Sequence, residues 1–244
     1  MLKDTKPTQD KENEQNTPQD GMPMQPIVDL GSTVIKNARG TIHCLTIVGQ
    51  IEGHVVLPNT TKTTKYEHIL PLLAALEEST EIDGVLFLLN TVGGDVEAGL
   101  AIAELISGMT KPTASLVLGG GHSIGVPLAV APKKTLIAPS ASMTIHPVRT
   151  SGMTIAAPQT YHYFERLQER ITQFVVKNSH ISEEGFTQLM MNTRDMAADV
   201  GSVLYGEEAV EYGIIDRLGS LSDAFECLYG MIGERKSTGK KQKD

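Results

Sequence analysis

The chain has little cysteine, no tryptophan and no run long and apolar enough to suggest a membrane span. Its two cysteines, Cys44 and Cys227, are too few and too far apart for a disulfide scaffold or a paired zinc site. This usage favours a reducing compartment, and we predict a cytoplasmic protein. The longest stretch without a charged residue, 112–132, contains four glycines, three prolines and a histidine, which indicates a buried segment.

The sequence also lacks a basic face. Lys and Arg number 21 against 29 Asp and Glu, giving a net charge of −8, and the lysines and arginines are scattered except at the carboxyl terminus. We therefore expect no nucleic-acid partner. The first ten residues, MLKDTKPTQD, are too polar for a secretory signal.

Composition divides the chain into three parts. Residues 1–26 are rich in Pro, Gln, Asn and charge, and we predict a disordered polar leader. Residues 27–233 carry the apolar patterning of one domain. Residues 234–244 carry five Lys or Arg against two acids, and we predict a disordered basic tail.

Within the central domain, short apolar strands alternate with amphipathic helices. This alternation is typical of an α/β fold in which helices cover both faces of a parallel sheet. We predict strands at 43–49, 84–90, 114–118, 135–138 and 141–146, helices at 66–79 and 96–108, a short helix beginning near Ser123, a helix capped by Ser182, and a helix ending at Gly213 followed by a short strand.

A longer helix is predicted at about 158–179. Its apolar residues recur at steps of three and four, and it follows the sheet strands. Such a helix is either an arm that packs against another subunit or an ordinary core helix. Its stripe consists of Tyr161, Phe164, Leu167, Ile171, Phe174 and Val175.

Two strand-to-helix loops have unusual sequences. The loop NTVGGDVEAG at 90–99 has paired glycines, and GGGHSIG at 119–125 places Ser123 after a buried strand. Such loops lie at the carboxyl ends of parallel strands, where α/β proteins hold their sites. GHSIG matches the GxSxG elbow of α/β hydrolases, but no Asp lies between Ser123 and the last histidine, His180. The order that the chain supplies is Ser123, His146, Asp195.

Together these segments resemble the proteolytic subunits of the Clp protease, from about Ile35 to Leu218. NTVGGDVEAGLAIAELI is similar to the family's NSPGGxxxAGxxIxDxx, GGGHSIG to GxAASMG and TIHPV to MIHQP. NTRD followed by YGEEAVEYGIID is similar to TxRDxxxSxxEAxEYGxID. Within the family, the polar leader and the shortened serine loop resemble those of the translocation-enhancing (TepA) subgroup.

The resemblance implies a ClpP/crotonase-like α/β core and a serine endopeptidase that acts on unfolded or small proteins inside its own chamber. It implies a triad of Ser123, His146 and Asp195, with the backbone N–H groups of Gly94 and Ile124 as the oxyanion hole. It also implies that the long helix is the handle between two heptameric rings, and that a Clp-type unfoldase ATPase is a partner. No cofactor and no metal are expected.

Several alternatives stay open at this point. His122 replaces a small residue before the serine, and it either crowds the site, accepts a second proton or caps the helix. The spacing after Asp195 is longer than in the family, so Asp199 or Asp216 could orient His146 instead. A signal-peptide peptidase of the SppA type would use a Ser/Lys dyad with Lys133 or Lys134. A non-catalytic or crotonase-like acyl-CoA-binding scaffold would need neither His146 nor Asp195.

Overall fold

The computed structural model describes residues 31–149, 155–195 and 199–241. They form a nine-stranded sheet flanked by helices. The strands are β1 (Ser32–Asn37), β2 (Gly40–Glu52), β3 (Thr63–Lys65), β4 (Gly84–Gly94), β5 (Thr113–Gly121), β6 (Lys134–Ile137), β7 (Ser142–Ile145), β8 (Ser202–Tyr205) and β9 (Arg217–Leu218). The helices are α1 (Tyr66–Glu78), α2 (Val96–Gly108), α3 (Gly125–Val130), α4 (Ala157–Lys177), α5 (Glu183–Met190), α6 (Gly206–Glu211) and α7 (Leu221–Lys241).

The sheet is mostly parallel, which confirms the predicted α/β class. Its main path runs β1-β2-β4-β5-β6-β9, and every pair on this path except β1 with β2 is parallel. β7 is parallel to β5 and antiparallel to β8. The carboxyl ends of β4 and β5 therefore lie at one edge of the sheet, where both glycine-rich loops begin.

Helices cover both faces of the sheet because its central strands are apolar on both faces. In β4, Val85, Phe87 and Leu89 face the core beneath α1 and α2. Leu86, between them, faces the second core layer beneath α7. Successive side chains of a strand point to opposite faces, so a continuous apolar run marks a strand buried on both faces.

Helix α4 divides into two halves along its length. Phe174 and Val175 in its carboxyl-terminal part are buried against the core, and Leu167 at its midpoint is also buried. The amino-terminal part is largely exposed, and Tyr161 keeps 72% of its surface accessible. The helix thus extends beyond the layer it packs on, whereas an ordinary core helix buries its stripe throughout.

The structure differs from the local predictions in several places. Residues 234–241, expected in a disordered tail, continue α7, and Lys236 Nζ lies 3.1 Å from Asp83 Oδ1. The strand expected after Gly213 is β9, which starts only at Arg217, because Asp216 is drawn into side-chain bonds with Thr135. The strands β1, β3 and β8 and the helix α7 had no predicted counterparts. The predicted leader, 1–26, lies outside the described residues.

Candidate active site

The two glycine-rich loops meet at the carboxyl edge of the sheet. A Cβ atom on Gly93 would lie 2.6 Å from Ser123 Cβ, so the loops touch at a point where a larger residue cannot fit. Gly93 also has a φ of +89°, in the region that glycine adopts without strain. The close contact between the two loops therefore explains why a glycine is needed opposite Ser123. Neither loop sequence shows this by itself.

Ser123 is held in a strained turn rather than at the helix cap that its position suggested. Its φ is +58°, a conformation that costs a non-glycine residue roughly 1–3 kcal/mol. α3 begins at Gly125 with Ile124 as its N-cap residue, so the prediction that Ser123 starts the helix is two residues early. The Ser123 N–H donates to the Thr144 carbonyl oxygen at 2.8 Å. Such strain is typical of functional positions.

Ser123 and His146 line the same cavity. His146 follows directly after β7, and the cavity has a volume of about 130 Å³. His146 Nδ1 lies 2.7 Å from the Pro147 carbonyl oxygen. The walls are mostly aliphatic, and the lining residues are Gly94, Val96, Ser123, Ile124, Val126, Ile145, His146, Pro147, Val148, Arg149 and Ile171.

Gly94 and Ile124, which the family resemblance assigns to the oxyanion hole, line the same cavity. Gly94 has a φ of +153°, and a Cβ there would overlap the Ile51 backbone, so only glycine fits. Ile124 is buried and occupies the space left by Gly99 of α2. The cavity thus brings Gly94 of the glycine loop next to the serine loop, which carries both Ser123 and Ile124.

Asp195 lies near the end of β7, but its hydrogen-bond partner is Asn192 and not His146. Asn192 Nδ2 donates to Asp195 Oδ2 at 2.7 Å and also to Ser202 Oγ at 3.0 Å. Ser202 is paired with Ile145, the residue before His146. Among the hydrogen bonds of the described residues, none joins Asp195 to His146.

The two alternative acids lie in different places. Asp199 Oδ2 is 2.7 Å from Arg149 Nη2, and Arg149 lines the cavity. Asp216 instead accepts from the Thr135 N–H and lies 3.4 Å from His180 Nε2. Thr135 pairs with Ser115, six residues before the end of β5, which places Asp216 about 20 Å from the serine loop. Asp199 is therefore near the site and Asp216 is remote from it.

Lys133 and Lys134 lie at the opposite edge of the sheet from Ser123. Lys134 pairs with Ala114 at the start of β5, and Lys133 Nζ donates to the Thr110 carbonyl oxygen at 2.7 Å. Residues 114 and 121 are about 23 Å apart along a strand. Neither lysine reaches Ser123, so the dyad that they would supply is not formed.

Two threonines of the site were missed by the sequence reasoning. Thr91 Oγ1 donates to the Gly49 carbonyl at 2.6 Å and accepts from the Gly93 N–H at 3.1 Å, which fixes the glycine loop. Thr144 Oγ1 lies 2.8 Å from His122 Nδ1. Polar residues inside otherwise apolar strands, each close before a loop of the site, were the signal that could have found them. Burial lowers the pKa of His122 below its usual value.

The described residues hold no group of three His, Cys, Asp or Glu side chains that could bind a metal ion. No helix among them is long and apolar enough to cross a membrane. The groups that line the cavity include the Ser123 hydroxyl, the His146 imidazole and the backbones of Gly94 and Ile124.

Comparison with known proteins identifies the family that the chain resembles. The model of the Clp protease family matches residues 38–221, which include both loops and His146. Translocation-enhancing protein TepA of Halalkalibacterium halodurans is 52% identical over 222 residues, covering 89% of this chain and 87% of that protein.

More distant relatives match a little over half of the chain. ATP-dependent Clp protease proteolytic subunit 1 of Protochlamydia amoebophila is 27% identical over 144 residues, covering 55% of this chain and 64% of that protein. The subunit of the same name from Chlamydia muridarum is 25% identical over 143 residues, covering 58% and 72%.

Proposed function

Because the chain belongs to the Clp protease family, a family of serine peptidases, we propose that it is a self-compartmentalised serine endopeptidase of the TepA-like kind. Its substrates in this proposal are unfolded or small proteins. The observation that carries the proposal is the shared cavity, which is lined by Ser123 at positive φ, by His146 and by the residues Gly94 and Ile124.

The proposed reaction follows from the groups around the cavity. His146 removes the proton from the Ser123 hydroxyl as its oxygen attacks the carbonyl carbon of the scissile peptide bond. The N–H groups of Gly94 and Ile124 donate to the oxyanion of the tetrahedral intermediate. His146 then gives the proton to the leaving amine, and water hydrolyses the ester on Ser123 by the same route.

Asp195 is the proposed orienting acid. His146 Nδ1 faces the Pro147 carbonyl in this structure, and catalytic hydrogen bonds of serine enzymes often align only when substrate binds. We propose that Nδ1–H turns to Asp195 in the working enzyme. The link from Asn192 to Ser202 keeps that carboxylate beside β7, at the end of the strand that carries His146.

The walls of the cavity suggest how substrate binds. Val96, Val126 and Ile171 present aliphatic surface next to the nucleophile, with Arg149 also lining the cavity. An extended peptide would lie along the strand edges through main-chain hydrogen bonds, with one side chain in the cavity. Such binding gives broad sequence preference, which suits a protease of unfolded chains.

Assembly is part of the proposal because a chamber needs several subunits. The exposed half of α4 carries Tyr161 and Tyr163, large side chains that a monomer leaves in water. We propose that this half is the handle between two heptameric rings in the cytoplasm, and that a Clp-type unfoldase ATPase delivers folded substrates.

A fluorophosphonate probe tests the proposed chemistry, since only an activated serine reacts with it. The wild-type protein is expected to be labelled and to cleave a fluorogenic peptide, and Ser123→Ala is expected to lose both while keeping the assembled mass. Ser237→Ala is the control, because this serine lies on α7 and bonds only to the Glu234 carbonyl in the described structure. Peptide hydrolysis by pure Ser123→Ala protein would falsify the proposal.

A further inference from the structure

Thr144 holds two consecutive residues of the serine loop at once. Its carbonyl oxygen accepts the Ser123 N–H at 2.8 Å, and its hydroxyl oxygen lies 2.8 Å from His122 Nδ1. His122 makes a second bond, because its own N–H donates to the Thr91 carbonyl at 3.1 Å. The loop is therefore bonded to β7 on one side and to β4 on the other.

The His122 ring occupies a defined place in this arrangement. A Cβ atom on Gly120 would lie 2.5 Å from His122 Nε2, so the ring packs directly over the Gly120 backbone. The ring is half-buried, and burial lowers its pKa, which keeps it neutral near pH 7. A neutral ring has one nitrogen that accepts and one that donates, and Thr144 can partner either at Nδ1.

We propose that His122 and Thr144 form a positioning pair that holds Ser123 in its left-handed conformation beside His146. This inference rests on the proposed function and deepens it. It assigns a task to His122, for which the sequence left three readings open. It also adds Thr144, which no sequence pattern singled out.

The position of Thr144 explains why such a pair would matter for catalysis. Thr144 lies in β7, and His146 follows two residues later, directly after the end of the strand. β8 fixes β7 from its other edge, where Thr144 pairs with Val203. A hydroxyl-to-imidazole bond at residue 144 thus fixes the distance between the loop of the nucleophile and the strand of the base.

Gly93 does not supply this restraint by itself. It contacts Ser123 only through steric fit, and the strained φ of Ser123 needs bonds that make the relaxed conformation less favourable. The two hydrogen bonds to Thr144 are of that kind. One of them uses the backbone and survives substitution, whereas the other depends on the side chains of His122 and Thr144 and can be removed.

A double-mutant cycle on the full-length protein tests the pair. Thr144→Val removes the hydroxyl with little change in shape, and His122→Ala removes the ring. Each is expected to lower kcat and the rate of fluorophosphonate labelling about five- to tenfold, the effect of one lost hydrogen bond, with KM within about twofold. The double variant is expected to be no slower than the slower single variant, because both changes remove the same bond.

Conservative variants separate positioning from packing. Thr144→Ser keeps the hydroxyl, and His122→Asn keeps a polar atom close to the Nδ1 position. Both are expected to recover most of the lost kcat. Additive losses in the double variant, or losses in Thr144→Ser as large as in Thr144→Val, would overturn the inference. If Thr144→Val does not fold, the comparison of His122→Asn with His122→Ala decides by the same criterion.

A crystal structure of Thr144→Val keeps this test distinct from that of the proposed function. If wild-type protein is not labelled at all, the proposed protease activity fails, whatever the loop does. The positioning pair is then judged by conformation alone. We expect Ser123 to leave positive φ in Thr144→Val and to keep it in Thr144→Ser. A Ser123 that stays near +58° in Thr144→Val would contradict the pair.

Discussion

At the scale of single residues, the site depends on three glycines that have no Cβ atom. Gly93, Gly94 and Gly99 each leave room for a neighbour that a methyl group would displace: Ser123, the Ile51 backbone and Ile124. Ser123 and the backbones of Gly94 and Ile124 thereby line one cavity. The cost is a serine at positive φ, which the surrounding bonds have to maintain.

The orienting acid gives a prediction at this scale. Asp195→Asn is expected to keep the fold and lower kcat by about 10⁴, the loss found when a serine-protease triad loses its orienting carboxylate. The measurement is peptide hydrolysis at saturating substrate, with circular dichroism to verify folding.

Two matched changes control this prediction. Asp216→Asn should have little effect on kcat because Asp216 is bonded to Thr135 at the far edge of the sheet. Asp199→Asn should act only through its ion pair with Arg149. If Asp199→Asn produces the larger loss, the acid is Asp199 and the assignment of Asp195 is wrong.

At the scale of elements, α4 exposes an aromatic surface that packing within a single subunit does not explain. Its carboxyl-terminal half packs on the core. A bidentate ion pair links this half to α2, in which Arg170 contacts both carboxylate oxygens of Glu97 at 2.8 and 3.1 Å. Its amino-terminal half leaves aromatic surface exposed. One element therefore combines anchoring to its own subunit with a surface suited to another.

Charges placed on that exposed surface should weaken assembly. Tyr161→Asp combined with Tyr163→Asp is expected to shift the protein to smaller species in light scattering at micromolar concentration. Burying an unpaired carboxylate in an interface costs several kcal/mol, more than a single contact usually contributes.

The control is Tyr212→Asp, which changes a tyrosine of comparable exposure, 49%, just after α6. It should leave the mass unchanged. Wild-type protein that is monomeric under these conditions would remove the basis of the prediction, and so would a double variant that keeps the wild-type mass.

At the scale of the whole molecule, the sheet is buried between two helical layers. A titratable side chain buried there makes the stability of the fold depend on pH. His43 of β2 is only 7% exposed, and its Nε2 has no hydrogen-bond partner among the described residues. Burial lowers its pKa, so the folded state resists protonation at this site.

Acid is therefore expected to destabilise the fold through His43. The unfolded chain takes up a proton at a histidine pKa near 6.5, whereas the folded protein does so only at lower pH, so stability falls as pH drops below about 6.5. The midpoint of urea unfolding should be lower at pH 5.5 than at pH 7.5.

His43→Val replaces the titrating ring with a residue that suits a buried strand. The fall in midpoint between pH 7.5 and 5.5 should be smaller in this variant than in the wild type, with His122 accounting for part of the remainder because burial also lowers its pKa. An identical fall in both proteins would show that His43 does not carry the effect.

Local patterns in the sequence were sufficient to predict the bounds and caps of some helices. Helix α2 begins and ends where its apolar spacing predicted, and the Asp95 side chain caps it by accepting from the Ala98 N–H. The cap at Ser182 was also predicted, and its side chain accepts from the Gly185 N–H. These features depend on contacts within one turn of helix, which residue order encodes directly.

The candidate site was likewise predicted in part from the sequence and decided in part by the tertiary structure. Residue types and their order indicated Ser123, His146 and Asp195, and the family resemblance supplied their roles and added Gly94 and Ile124. Only the tertiary structure put these residues, apart from Asp195, around one cavity, placed Lys133 and Asp216 at the remote edge, and revealed the bond between His122 and Thr144. Contacts between residues far apart in the chain depend on how strands pair and which edge each loop reaches, and neither is a property of a local pattern.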